Sequence, residues 1–542
     1  MKTENRKKLL LVLAVSAFCI FAYGVLIFNE LTNTYDGMWK GANYTEYEWV
    51  ISLGRWFWPV IGKARLSLSP EPFTSVFSLA MYILGGCLIL SVFELRDSII
   101  ACLVTLGVVI NTAVLSALSY RYMAPVFAFS FLCSVLAVWL LTRARRPIMN
   151  CILAVIVTAL SLGSYQANIG CLCLVALLYI TCLLMNGSSW KIIASFLVRT
   201  AVVVLLGCLL YKIIWDIIVN ATGILPSAYK GADSLSFRGI LEHLPERIKD
   251  AYKAWFSYTT GRRSGSIKHN AYQQMIIYRV PMIVLFLSVG LSLVRSGLLM
   301  KDRNRMIGRM ILSSGLLLLV PAAENFAMLV SPDGSDTMIQ MTMPMAIQLP
   351  LLFCLSASLF TGTGGDKQTD LKTDLSIRDR VRAAGVLKWF LYGQMILLLY
   401  GNTLMISIDQ HVMLKSRDSA VLLLNRVMSE VESQGFLPDG PESGYVFLGR
   451  PSDNPQYYKD ELWEYANDYA QYGNFWLDGN CNTQSYYGLL RDSGIDIPLY
   501  QWSEVWHELE QRDNVREIPV FPEKGFVKKI DGAIVVRLSD SE

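Results

Sequence analysis

The run LLLVLAVSAFCIFAYGVLIF, Leu9–Phe28, decides the fold. A helix of about 20 uncharged residues is about 30 Å long, the thickness of a bilayer's hydrocarbon core. Lys2, Arg6, Lys7 and Lys8 precede it. A signal peptide would be shorter and would end in small residues, where Phe18 and Tyr23 stand here. The run therefore reads as an uncleaved first membrane span. Working outward, apolar runs recur at about 73–93, 98–118, 123–141, 148–164, 167–185, 192–218, 276–294, 310–330, 343–361 and 389–408. That predicts a polytopic α-helical membrane protein with eleven spans.

Composition agrees. Of 542 residues, 53% are hydrophobic and 17% charged, and the mean hydropathy is +0.39. Soluble proteins carry about 25% charged residues, so a water-soluble enzyme, a disordered chain and a coiled coil are excluded. The net charge of +4 conceals a division: residues 1–408 hold 36 Lys/Arg against 21 Asp/Glu, and residues 409–542 hold 12 against 23. The chain divides accordingly into a basic membrane domain, 1–408, and an acidic tail, 409–542. Nothing in the tail points to nucleic acid.

Orientation follows from the positive-inside rule. Twenty Lys/Arg fall in the segments that are cytoplasmic if the N-terminus is inside, against 13 in the opposite loops, eight of them in 219–275. The tail and the loops 29–72 and 219–275 are then expected outside the plasma membrane. Glu246–Tyr258 has apolar residues at helical spacing (Ile248, Tyr252, Trp255, Phe256), either to lie on the membrane surface or to pack on the bundle. The tail is expected to be a small α/β domain: a helix over Ala420–Ser433, a strand Tyr445–Leu448, and paired strands Ile518–Phe521 and Ala533–Leu538, with turns at Lys524-Gly525 and Asp531-Gly532.

Ten of the eleven cysteines lie in apolar segments and only Cys481 in the tail, so no disulfide is expected. No cofactor motif and no metal-ligand spacing is evident. Thr361-Gly-Thr-Gly-Gly365 lacks the Lys-Ser/Thr of a nucleotide loop.

The first outer loop carries the candidate chemistry: Asp36, Trp39, Glu46 and Glu48, then Ser52-Leu-Gly-Arg55-Trp56-Phe57-Trp58-Pro59. A carboxylate held just beyond a membrane helix, if partly desolvated, suits proton abstraction from a hydroxyl. An ordinary Asp-Gly turn is the plain alternative for Asp36. Aromatic neighbours such as Trp39 and Trp56 offer platforms for sugar faces or for the lipid interface. Arg121 and Arg279 sit at outer helix ends, where guanidinium either binds phosphate or snorkels to headgroups. Lys212 and Asp216 share a helix face, as an ion pair would require. Glu324, beside Asn325 and after Pro321, is either a second acidic residue of a site or a packing polar group.

The order Tyr35-Asp36-Gly37-x-Trp39, then Leu53-Gly54-Arg55-Trp56 before the second span, resembles the bacterial membrane glucosyltransferases related to phage serotype-converting enzymes of O-antigen modification. Gly163-Ser-Tyr165-Gln166-Ala167 and Pro522-Glu-Lys-Gly525 with Asp531-Gly532-x-Ile-Val-Val-Arg-Leu538 add to the resemblance. It implies a GT-C-like architecture, a sugar donor on polyprenyl phosphate and a cell-surface glycan acceptor. It also implies an inverting displacement with Asp36, or alternatively Glu46 or Glu48, as base. Trp39, Arg55, Trp56, Arg121, Tyr165, Gln166, Arg279 and Glu324 become candidate substrate-binding residues. A flippase for lipid-linked glycans and a polysaccharide polymerase are the rival readings.

Overall fold

A computed structural model describes residues 2–33, 47–228, 237–262, 271–298, 303–331, 341–361, 375–436, 444–449, 486, 488–490, 495, 509 and 511–540. The helices, in chain order, are α1 (Lys2–Phe28), α2 (Tyr47–Ser52), α3 (Trp58–Ala64), α4 (Phe73–Val92), α5 (Ser98–Val109), α6 (Thr112–Ser119), α7 (Ala124–Thr142) and α8 (Pro147–Ser164). After a 3-10 turn at Gln166–Asn168 come α9 (Ile169–Met185), α10 (Trp190–Thr222), α11 (Phe237–Thr260), α12 (Ala271–Gln274), α13 (Ile276–Leu298) and α14 (Arg303–Leu318). Four more follow: α15 (Val320–Glu324), α16 (Phe326–Val330), α17 (Met343–Ala346) and α18 (Gln348–Thr361). Last among the long helices is α19 (Leu375–Ser433).

Among the described residues eight helices are long and apolar enough to cross a membrane, or nine if the pair α5 and α6, bent by 48°, is one span. These nine coincide with nine of the eleven expected spans. The other two expected segments are built differently. Residues 310–330 divide into α14, α15 and α16, and residues 343–361 into α17 and α18. Proline explains the division between α14 and α15 locally: Pro321 opens α15 at a first-turn position where its missing N–H costs nothing, and Pro344 likewise opens α17. The bend between α5 and α6 is satisfied rather than strained. Asn111 accepts from the Val114 amide (3.0 Å) as the cap of α6, and Asn402 and Tyr23 donate to the freed carbonyls of Ile110 and Val109 (2.8 Å each).

The core is a helix bundle in which α7 lies between α4 and α8, α8 packs on α10, and α1 on α19. One end is marked by Asp97 paired with Lys388 (2.6 Å), and by Arg309 donating to the carbonyls of Leu184 and Ser188. The opposite end gathers the end of α1, the α6–α7 turn, the α8–α9 turn and the loop that carries α2 and α3.

On α11 Ala251 and Ala254 pack inward against Met328 and Tyr258 is buried, whereas Ile248, Tyr252 and Phe256 are exposed. The helix therefore packs on the bundle and still presents an apolar face. α19 is unbroken over its 59 residues, about 88 Å, and so runs on past the bundle. Its Ala420, Leu423, Leu424, Val427 and Val431 pack on a three-stranded sheet of order β1-β3-β2: β1 (Tyr445–Leu448), β2 (Val527–Ile530) and β3 (Ala533–Arg537). β1 runs parallel to β3 and β2 antiparallel to it. The strand expected at Ile518–Phe521 is instead Val527–Ile530, because Pro519 and Pro522 cannot donate to a ladder. The turn at Asp531-Gly532 stands as read, with φ of 48° and 84° suited to a two-residue hairpin.

Candidate active site

The loop bearing α2 and α3 is clamped onto the bundle end at backbone level. The Phe57 amide donates to the Gly163 carbonyl (2.8 Å), Gln166 Nε2 to the Leu53 carbonyl (2.8 Å), and Trp215 Nε1 to the Ile51 carbonyl (2.8 Å). Gln166 Nε2 also lies 3.1 Å from the Tyr211 hydroxyl. Gly163 is required for this approach, since a Cβ there would lie 2.5 Å from the Trp56 ring. Gly54 turns the chain at φ +80°, where a side chain would be strained.

The turn that receives the loop is itself fixed from below. Ser130 donates to the Tyr165 carbonyl (2.9 Å), Ser134 to the Asn168 carbonyl (2.8 Å), and Asn168 Nδ2 to the Phe127 carbonyl (3.1 Å). Inside a bilayer such groups have no water to turn to, so these bonds rigidify the turn.

On this frame sits Arg55. Its guanidinium lies 5.5 Å from the Trp58 ring centre and 5.2 Å from that of Tyr165. The Nε is buried without a hydrogen-bond partner, and no carboxylate pairs with the group among the described residues. Tyr165 packs edge-on to Phe127 (4.6 Å between ring centres), and Trp58 and Tyr120 reach Phe127 from other sides. The result is a half-buried cation on an aromatic floor.

Arg121, in the α6–α7 turn, is a second cation at this end. It is buried, with Glu30 Oε2 3.7 Å from its Nη1. Glu71, just before α4, interacts electrostatically with both. Ser75 grips its carboxylate, the hydroxyl donating to Oε1 (2.8 Å) and the amide to Oε2 (3.1 Å). Burial pushes the Glu71 carboxyl up to about 7; the two Ser75 bonds and Arg121 pull it down, and Glu30 pushes it up.

Of the residues expected from sequence, Arg55, Trp56, Tyr165 and Gln166 meet at one junction. Trp56 is buried there, wedged against Gly163, and its ring fastens the loop to α8. Gln166 is engaged by Leu53 and Tyr211. Glu48 is exposed on α2, and Arg279 is exposed on α13. Glu324 is 3% exposed and neither carboxylate oxygen has a hydrogen-bond partner among the described residues. Its carbonyl lies so near the start of α9 that a Cβ at Gly170 would be 2.2 Å from it. Lys212 and Asp216 form the expected ion pair. Asp36, Trp39 and Glu46 lie outside the described residues. Sequence reading missed Glu71, Tyr211 and Trp215. The spacing of Tyr211 and Trp215, four apart on one span, was available as a signal; for Glu71 the sequence offered none.

Fold and site together define a polytopic helical membrane protein whose first long loop is locked over a cationic, aromatic bundle end. The chain belongs to the family described as Glucosyl transferase GtrII, whose model matches residues 8–352. Membership makes it a membrane glycosyltransferase of the glucosyl-transferring kind. No curated protein and no solved structure matches the chain.

Proposed function

We propose that the protein transfers a hexose, glucose or a close relative, from polyprenyl phosphate to a cell-envelope glycan at the outer face of the plasma membrane. The N-terminus is cytoplasmic in this reading, and the tail, 409–542, is extracytoplasmic. The observation that carries it is Arg55: a half-buried guanidinium between two aromatic rings, lacking a carboxylate partner among the described residues. Guanidinium matches phosphate oxygens bidentately, and the rings exclude water around it. The lipid phosphate docks there, with Arg121 as the second cation at the same bundle end.

The chemistry is a single displacement with inversion. The acceptor hydroxyl oxygen attacks the anomeric carbon, the bond from that carbon to the phosphate oxygen breaks, and the phosphate departs with the electron pair. A carboxylate of the first loop takes the hydroxyl proton; Asp36, Glu46 and Glu48 are the candidates named by sequence. A phosphate is a good leaving group, so no second carboxylic acid is needed, unlike in a glycosidase. Trp39 offers a face for the sugar ring, and buried Glu324, beside the α8–α9 turn, is an acceptor for a sugar hydroxyl.

Mass spectrometry of envelope glycans from cells with and without the protein tests the reading. A hexose present only with the protein, and lost on Arg55→Ala, is expected. Identical glycans in both strains would overturn it. Extension of a whole chain, rather than one added sugar, would favour a polymerase.

A further inference from the structure

We propose that Glu71, rather than an exposed carboxylate of the first loop such as Glu48, takes the proton from the acceptor hydroxyl, with Ser75 as its positioning residue. The proposal rests on the glycosyl-transfer reading above and assigns a residue to its proton step.

Four features single out Glu71. It stands immediately before α4, so the start of a membrane helix fixes its backbone. Ser75 engages each carboxylate oxygen once, at 2.8 and 3.1 Å, which sets the orientation yet leaves further lone pairs on both for a substrate hydroxyl. Two charged groups are within electrostatic reach of it: Arg121 in the α6–α7 turn and Glu30 at the end of α1. Arg121 is at once the buried cation of this bundle end, so base and phosphate-binding charge share one neighbourhood. By contrast Glu48 is exposed on α2, and Glu30 is 64% exposed and paired with Arg121. Burial outweighs the Ser75 and Arg121 contributions and leaves the Glu71 carboxyl near 7, where a base is half-ionised at working pH.

The proton step balances simply. As the hydroxyl oxygen bonds to the anomeric carbon, its proton moves to a Glu71 oxygen, while the phosphate leaves with the electrons of the broken bond. Glu71 is reset by losing that proton to water.

The test is a pH profile of kcat/KM for the purified full-length protein. The donor is labelled hexose on polyprenyl phosphate, and the acceptor is envelope glycan from cells lacking the protein. Wild-type activity should rise with pH through a midpoint near 7. Glu71→Gln should fall by roughly 10²- to 10⁴-fold and lose that rise. Ser75→Ala should keep the rise but move it to higher pH, because the charged carboxylate loses a donor. That shift is read within an active protein, so it separates the role from a folding defect. Glu71→Gln within a few-fold of wild type, or loss of the rise in Asp36→Asn with Glu71 intact, overturns the assignment. Wild-type protein that transfers no hexose at all would instead overturn the underlying reading.

Discussion

Gln166 illustrates how one side chain positions a loop. Its amide nitrogen contacts both the Leu53 carbonyl and the Tyr211 hydroxyl, tying the first loop to α10 through the α8–α9 turn. Gln166→Ala leaves a carbonyl without its donor, and should destabilise the protein by about 1–3 kcal/mol in chemical unfolding in detergent. Transfer activity should fall further than stability alone accounts for, since Arg55 rides on the same loop. Unfolding and activity both at wild-type level would show that the loop holds without this tie. The sequence made Tyr165 and Gln166 visible because they form a motif at a helix turn. Glu71 was invisible for a physical reason. Its environment is set by Arg121, 50 residues away, and a carboxylate between two prolines otherwise reads as a surface turn.

At the scale of elements, hydropathy recovered the continuous spans because a 20-residue apolar run in a bilayer has few alternatives to a helix. It did not recover the breaks. Whether an apolar segment with one proline kinks or divides depends on which neighbours satisfy the freed backbone groups. Asn325 Nδ2, for instance, donates to the carbonyls of Pro321 (3.0 Å) and Ala251 (3.3 Å), joining the α15–α16 break to α11. The α5–α6 bend relies on Asn111 in the same manner. Asn111→Ala removes the cap of α6 and the donor to the Val108 carbonyl (2.8 Å), and should cost about 1–2 kcal/mol by unfolding in detergent. Gly170→Ala should be worse. Its Cβ would meet Glu324 backbone rather than a movable side-chain tip, so a sharp drop in folded yield is expected by size-exclusion analysis. Wild-type yield from that variant would mean that α9 and α15 separate easily.

For the whole molecule, the opposite net charges of 1–408 and 409–542 become a statement about sidedness. The Arg143–Arg146 connection is the densest basic turn between two spans, and the sheet of the tail lies at the far end of α19 from Lys388. Both follow if the arginines are cytoplasmic and the tail is outside. The bundle end that holds Arg55 and Glu71 is then outside as well, because Arg417, along α19 towards the tail, donates to the Asn29 carbonyl at the end of α1. Single cysteines placed at exposed positions read this out. In a Cys481→Ser background, Lys528→Cys on β2 should react with a membrane-impermeant maleimide in intact cells. Arg145→Cys should react only after lysis, and the unmodified background sets the blank, its other cysteines all lying in apolar segments. The reverse pattern would place tail and site in the cytoplasm. A polyprenyl-phosphate donor presented from the outer leaflet would then be out of reach, and the glycan acceptor with it.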